Sequence, residues 1–346
     1  MIHFYLKRHF ILILLLCLLF VNFLKAQEDC ATVLSKAQKQ YDAGAIEQIP
    51  KMLQSCIENG FTKEEKSQAF KLIIMSYLFD NNNKMAEAAM LDFLRRYPEY
   101  EILPSDQAEF SQLFNSYRTL PIATFGVILG TNISNIIVSR LYMDPKIKGT
   151  YSTSGFTYQA GFSFKRYIFN KMDFNIEAIF FQSSYQYSSD SVAAGNRLVF
   201  NETQNRIEMP LTVIYFPYVW NKFTPYVRGG ISFGYLLNSS ATFTRTEPGI
   251  LKPFTDPAFS ITDKRSNFQL MAVIGMGISY SLKRSNLFLD IRYNLGFLNQ
   301  VNPDERYNTN NLDPYLKYYY VDNDFRMNNL CFSIGYNYKF YKPEKR

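Results

Sequence analysis

From Ile122 onward apolar residues recur at every second position, and this period of two constrains the fold more than any other feature of the chain. It runs through eight segments: 122–132, 156–167, 172–185, 206–216, 224–236, 267–280, 286–298 and 328–341. In the last, Leu330, Phe332, Ile334, Tyr336, Tyr338 and Phe340 share one face, and Asn329, Cys331, Ser333, Gly335, Asn337 and Lys339 share the other. The seventh sets Leu287, Leu289, Ile291 and Tyr293 against Phe288, Asp290, Arg292 and Asn294. Alternation over about 9–11 residues suits a strand that crosses a bilayer, but a soluble sandwich alternates too. The connections separate the two readings. Ile168–Lys171, Pro217–Phe223 and Ser281–Ser285 are short, whereas 133–155, 186–205, 237–266 and 299–327 are long, and the two kinds alternate strictly. A barrel in an outer membrane has short turns on its periplasmic side and long loops outside; a sandwich has no reason to alternate. The expected fold over 122–346 is therefore an eight-stranded antiparallel transmembrane β-barrel with extracellular long loops. The long connections hold the Asn, Ser, Thr, Asp and Pro of solvated loops. Phe216, Tyr218 and Trp220 stand at a short turn, where an interfacial aromatic girdle belongs.

The chain before the barrel reads differently. Lys7 and Arg8, an apolar run over 11–21 and Ala26 at the exit make residues 1–26 a secretory signal; an uncleaved single-span anchor is the alternative. Residues 27–118 carry helical periodicity and are expected to form a periplasmic domain of α-helical hairpins, joined to the barrel by a linker at 119–121, so that the whole is an α+β multidomain chain. The expected helices cover 31–41, 45–59, one that Thr62 caps with Glu65 three residues on, 84–97, and 105–117 with Ser105 as cap. The third and fourth resemble a tetratricopeptide repeat in the placing of Tyr77, Ala86 and Pro98. An unrelated helical bundle is the other reading. Cys30 and Cys56 lie fourteen residues before and twelve after the turn at Gly44, which brings them to one end of an antiparallel helix pair. In an oxidising compartment that spacing predicts a disulfide; two buried thiols are the alternative. Cys331 is expected to stay free on the lumen face of the last strand.

Composition excludes more than it suggests. The formal net charge is +7, and Lys7, Arg8 and Lys25 account for three of it, so a chain cut after residue 26 carries only a mild excess. No basic cluster marks a nucleic-acid surface. Both histidines, His3 and His9, lie in the leader, which removes triads, Cys-His pairs and His-ligated zinc from the mature chain. A non-enzymatic protein without cofactor or metal is expected, although carboxylate chemistry is still open in principle. Parity turns Lys165, Asp173, Glu177, Glu208, Arg228, Asp290, Arg292 and Lys339 into the barrel, where charges have to pair or be hydrated. They are expected to form a closing network, with Glu208 near Arg228 across a short turn.

The final strand reads Ser333-Ile334-Gly335-Tyr336-Asn337-Tyr338-Lys339-Phe340. It resembles the carboxy-terminal signal by which barrel-assembly machinery recognises its clients, with Ser333, Gly335, Tyr338 and Phe340 at the signal positions; the tail Tyr341–Arg346 departs from it. The barrel also resembles the PorT-type family of Bacteroidetes outer-membrane barrels, in Gly126–Ser134, in Arg206–Tyr215 with Glu208-Met209-Pro210-Leu211, and in Pro225–Gly230. That resemblance implies an eight-stranded barrel in the cell outer membrane and, more remotely, a part in protein secretion. Gly275-Met276-Gly277 lies inside a strand and opens no helix, so it is no dinucleotide loop; small residues facing a narrow lumen explain it. Asp190-Ser191-Val192 resembles a Bacteroidetes O-glycosylation acceptor, and Asn132, Asn201 and Asn238 head sequons of no expected use in a bacterium. The expected role is a membrane anchor for a helical interaction domain. Its expected partners are outer-membrane lipid, the barrel-assembly machinery and an unidentified periplasmic or envelope protein, with no nucleic acid. A narrow channel or a surface receptor for a small solute is the alternative.

Overall fold

The computed structural model describes residues 30–143, 147–169, 171–192, 196–218, 220, 222–249, 252–308 and 314–346, so the expected signal segment lies outside the described residues. Two compact units divide the chain: one holds the described residues up to Leu120 together with Tyr341–Arg346, the other Pro121–Phe340.

The first unit is helical. Residues 30–42 form α1, followed by α2 (Ile49–Glu58), α3 (Lys63–Phe79), α4 (Asn83–Arg96) and α5 (Ala108–Asn115). Gly44 turns the chain after α1 with a φ of 79°, a conformation glycine adopts without steric cost. A capping box opens α3: Thr62 accepts from the Glu65 N–H, and Glu65 accepts from the Thr62 N–H. Asn82 caps α4, and Arg95 and Arg96 sit in its last turn, where the helix dipole favours cations. The fifth helix starts later than expected, with Gln107 and not Ser105 at the cap. The cause is Asp106, whose carboxylate already accepts from Lys71, the Tyr100 hydroxyl and the Leu103 N–H, which fixes a turn over 103–106. Phe93 is the hub of the core, with ring centroids of Phe70, Tyr97, Tyr100 and Phe110 at 5.0–6.0 Å. Cys30 and Cys56 are disulfide-bonded, with Cα atoms 5.7 Å apart. The tail completes the unit. Tyr117 bridges Lys345, Arg118 N–H donates to Glu344 O, Arg346 N–H donates to Ser116 O, and Lys345 reaches Glu87 at 2.5 Å.

The second unit is an antiparallel sheet. Its elements are β1 (Ala123–Arg140), β2 (Gly149–Thr153), β3 (Thr157–Phe169), β4 (Met172–Val192), β5 (Asn196–Tyr215), β6 (Phe223–Thr246), β7 (Phe254–Thr255), β8 (Phe259–Ser260), β9 (Phe268–Ser281), β10 (Ser285–Gly296), the short helix α6 (Pro314–Lys317) and β11 (Asp324–Phe340). The long strands pair in chain order, β1 with β3, then β4, β5, β6, β9, β10 and β11, and β11 returns to β1 from Ala123↔Phe340 to Val138↔Phe325. The sheet therefore closes on itself and leaves no long open edge. Outward positions such as Phe125, Leu129, Leu289, Ile291, Ile334 and Tyr336 are exposed and apolar. Inward positions are buried and mostly polar.

The long connections are not the irregular loops expected. β1, β4 and β6 run on to residues 140, 192 and 246, and β5 begins at 196. Alternation continues through them in a weaker form. Tyr185, Tyr187, Leu198, Phe200 and Phe243 point inward and bury against Tyr315, Tyr318, Tyr320 and Phe325, contributed by the chain before and within β11. These aromatic contacts, made across large sequence separations, extend the strands where local composition argues for loop.

Candidate functional site

The candidate site is the interior of the sheet. Near the short-turn end, alternate residues of β4, β6 and β10 bring four charges together. Glu177 holds Arg228 Nη2 at 2.6 Å with one oxygen and Arg292 Nη1 at 2.5 Å with the other. Asp290 lies 3.3 Å from Arg228 Nη1 and 2.9 Å from Arg292 Nε. Two carboxylates and two guanidiniums make a neutral ring, and none of the four side chains is more than 2% exposed. Neutral donors and acceptors complete it: Tyr226 donates to Asp290, Asn175 to Glu177, Arg228 to Thr212 and Arg292 to Ser333. Glycine makes room for these large groups. A Cβ on Gly277 would stand 2.4 Å from the Tyr226 ring, and one on Gly275 would stand 2.9 and 3.2 Å from the Arg292 and Arg228 stems.

Further along the interior, Arg206 donates to Gln204 and Gln300, while its Nη1, one oxygen of Glu208 and the Asn294 side-chain oxygen have no partner among the described residues. Beyond them stands a second ion cluster. Arg265 binds Glu202 through Nε and Nη2 at 2.7 and 2.6 Å, and Asp322 through Nη1 and Nη2 at 2.7 and 3.1 Å. Tyr185, Ser239 and Gln204 donate to the same Glu202 carboxylate. The aromatic cluster around Tyr315, Tyr318 and Tyr320 covers this end. Arg306, which binds Asp324 and lies over the Tyr142 ring, extends the polar layer beside it.

Of the eight charges expected inside, Glu177, Arg228, Asp290 and Arg292 meet directly. Lys165 is buried with its ammonium 4.8 Å from the Phe288 ring centroid. Asp173 and Lys339 are half-buried near the short-turn end and stand outside the four-charge ring. Glu208 is buried but does not meet Arg228. In the register Glu208 faces Gly234 and Arg228 faces Ile214, so six residues of β6, about 20 Å, separate their levels. The expectation placed the two at similar distances from the turn, and the observed register does not. The second cluster has little signal in the sequence, because Glu202, Arg265 and Asp322 fall in the long connections 186–205, 237–266 and 299–327. Continued parity through Leu198, Phe200, Glu202, Gln204 and Arg206 is the signal that marks part of it. Cys331 is buried against Ile179 and Phe181. Trp220 and Tyr218 are exposed at their turn, whereas Phe216 packs on Tyr226. Ser333 and Gly335 face inward and Tyr338 and Phe340 outward. Gly335 has a packing reason of its own, since a Cβ there would lie 2.2 Å from the Phe288 ring.

The helical unit offers a groove of about 760 Å³ between α1, α3 and the start of α5, lined by Leu34, Tyr41, Gln68, Lys71, Asp106 and Phe110 among others. Burial raises the pKa of Asp106, but the Lys71, Tyr100 and Leu103 donors outweigh it and hold the carboxyl below its ordinary value. Tyr100 is pushed up by burial and by Asp106.

Residues 110–302, more than half of the chain, match the family described as outer membrane protein beta-barrel domain. The chain belongs to that family. Membership places this outer membrane beta-barrel protein in the outer membrane, with the exposed apolar band of the sheet toward lipid. Solved structures similar to it include Neisserial surface protein A (15% identity, 62% of this chain and 97% of that one, TM-score 0.27). Two others are the N-terminal beta-barrel domain of Pseudomonas aeruginosa OprF (12%, 63% and 98%, 0.25) and Ail, the attachment invasion locus protein of Yersinia pestis (9%, 63% and 99%, 0.27). No curated protein matches the sequence.

Proposed function

We propose that the protein is a closed, non-enzymatic eight-stranded barrel of the PorT type, from a Bacteroidetes outer membrane, that anchors a tetratricopeptide-like helical domain on the periplasmic side. The observation that carries the anchor reading is the interior: a neutral four-charge ring, a second buried ion cluster and an aromatic cap succeed one another between the two ends of the barrel. A barrel of about eight strands has little more room than its own side chains fill, and paired buried charges resist displacement by solute. Binding then falls to the helical domain, whose groove between α1, α3 and α5 exposes amide, hydroxyl and apolar groups suited to a polypeptide from a periplasmic or envelope protein. An accessory role in secretion or envelope assembly fits such an arrangement. Ser333, Gly335, Tyr338 and Phe340 serve as the signal to the barrel-assembly machinery. The test has two arms. Purified protein in planar bilayers should pass no steady current, and a stable conductance would favour the channel reading. In native membranes, photo-crosslinkers placed at Gln38 and Gln68 should capture a discrete protein; if no crosslink forms, or if deletion of residues 28–118 leaves every native crosslink of the protein unchanged, the interaction role is wrong.

A further inference from the structure

On β4, β5 and β6 the outward side chains change character at a single level. Toward the short turns those of β5 and β6 are exposed and apolar: Ile207, Met209, Phe233, Tyr235 and Leu237. At the level itself an amide ladder crosses the three strands. Gln182 Nε2 donates to Asn205 Oδ1 at 3.1 Å, and Asn205 Nδ2 donates to Asn238 Oδ1 at 2.8 Å. Two residues further on, the register aligns Ser184, Thr203 and Ser240, and two beyond that Gln186, Asn201 and Thr242. Ser152 of β2 extends the last row on one side, and Ser260 of β8 extends the middle row on the other.

These rows hold no Asp, Glu, Lys or Arg. A face that meets only water normally mixes charges of both signs, which keep it soluble and keep other strands from pairing with it. Here a wall roughly 14 Å high along the strands carries amides and hydroxyls alone. Its inner side is fixed: Tyr185, Phe200 and Phe243, between the outward residues in sequence, are buried in the aromatic cluster. The wall is therefore rigid; Ser184 is itself buried with its hydroxyl donating to the Glu202 carbonyl, so the wall presents its amides and its remaining hydroxyls.

What meets the wall follows from what lies beside it. It continues the lipid-facing apolar band on the same faces of the same strands, so it stands at the headgroup layer. On the orientation given under Proposed function, that layer belongs to the outer leaflet, whose lipids carry sugars. Amides and hydroxyls both donate and accept, as sugar hydroxyls do. The wall lacks the cations that recognise phosphate. We propose that the outward rows of β4, β5 and β6 are a contact wall for the uncharged sugars of outer-leaflet glycolipid headgroups.

The test uses the full chain refolded into lipid. Occupancy by lipopolysaccharide with a complete neutral-sugar core is compared, by native mass spectrometry, with occupancy by the same lipid truncated to its phosphorylated disaccharide. The intact glycolipid should bind at least ten-fold more tightly. The triple variant Asn201→Ala, Thr203→Ala, Asn205→Ala should lower that ratio toward one while keeping the heat-modifiable mobility of a folded barrel. Equal binding of the two lipids by the unsubstituted chain overturns the proposal without recourse to any variant. Orientation is read separately from Asp190→Cys, at an exposed position near the end of β4, in intact cells with a membrane-impermeant maleimide. Labelling from outside together with equal lipid binding defeats the sugar wall alone; labelling only after the outer membrane is permeabilised defeats the orientation and the wall with it.

Discussion

Glu177→Gln tests the four-charge ring most directly. Glutamine keeps the shape and one acceptor of Glu177 but removes the charge that faces Arg228 at 2.6 Å and Arg292 at 2.5 Å. The ring then holds two guanidiniums and only Asp290. Two charges about 4 Å apart interact by about 4 kcal/mol at an effective dielectric near 20. Stripping one partner from a buried pair costs about 3–5 kcal/mol, because the other is left uncompensated. All of these side chains are at most 2% exposed, so solvent screening does not reduce the figure. The expected loss is therefore about 3–5 kcal/mol in reversible urea unfolding of the barrel in lipid, followed by gel mobility and tryptophan emission. Adding Arg292→Gln restores neutrality, leaving Arg228 with Asp290, and should recover about 1–3 kcal/mol relative to the sum of the single effects. A loss below about 1 kcal/mol for Glu177→Gln, or strict additivity in the double variant, would refute the claim that these charges balance one another.

Three further outcomes are expected. Reduction of the Cys30–Cys56 bond, which closes a 26-residue separation, should lower the stability of the helical unit by about 3.5 kcal/mol, seen as an earlier loss of helical circular dichroism with dithiothreitol than without. Asp106→Asn should flatten the acid limb of helical unfolding. The folded carboxyl titrates below its unfolded value, so its contribution is full above about pH 4 and is lost as pH falls through the folded value; an unchanged acid limb in the variant would remove Asp106 from that role. Gly335→Ala should destabilise the barrel by about 1–3 kcal/mol through overlap with the Phe288 ring, and Phe288→Ala should relieve part of it. If Gly335→Ala costs as much in the Phe288→Ala background as in the unsubstituted chain, the constraint comes from the Val127 carbonyl oxygen, 2.6 Å from the added Cβ, and not from the ring.

Local patterns carried much of this molecule. Period-two alternation fixes, strand by strand, which side chains face in, so Glu177, Asp290 and Arg292 could be assigned to the interior from parity alone. A helix hairpin about Gly44 brings Cys30 and Cys56 within reach, and Thr62 with Glu65 announces the start of α3, because such contacts depend on a few residues of chain. Relations between distant segments were not legible in the same way. Parity says that Glu208 and Arg228 both face inward, but their levels depend on the register between β5 and β6, which the packing of the whole sheet sets. Asn196–Asn205 alternates only weakly, its Leu198 and Phe200 set among the polar residues of a solvated loop. It becomes strand because Leu198 and Phe200 find Tyr315 and Tyr320 more than a hundred residues away. Arg265 is likewise unremarkable in its own surroundings; its site exists only where β5 supplies Glu202 and the approach to β11 supplies Asp322. Alternation and caps are properties of short stretches and can be read in one dimension, whereas a buried charge requires counter-charges that the closure of the sheet alone brings to it.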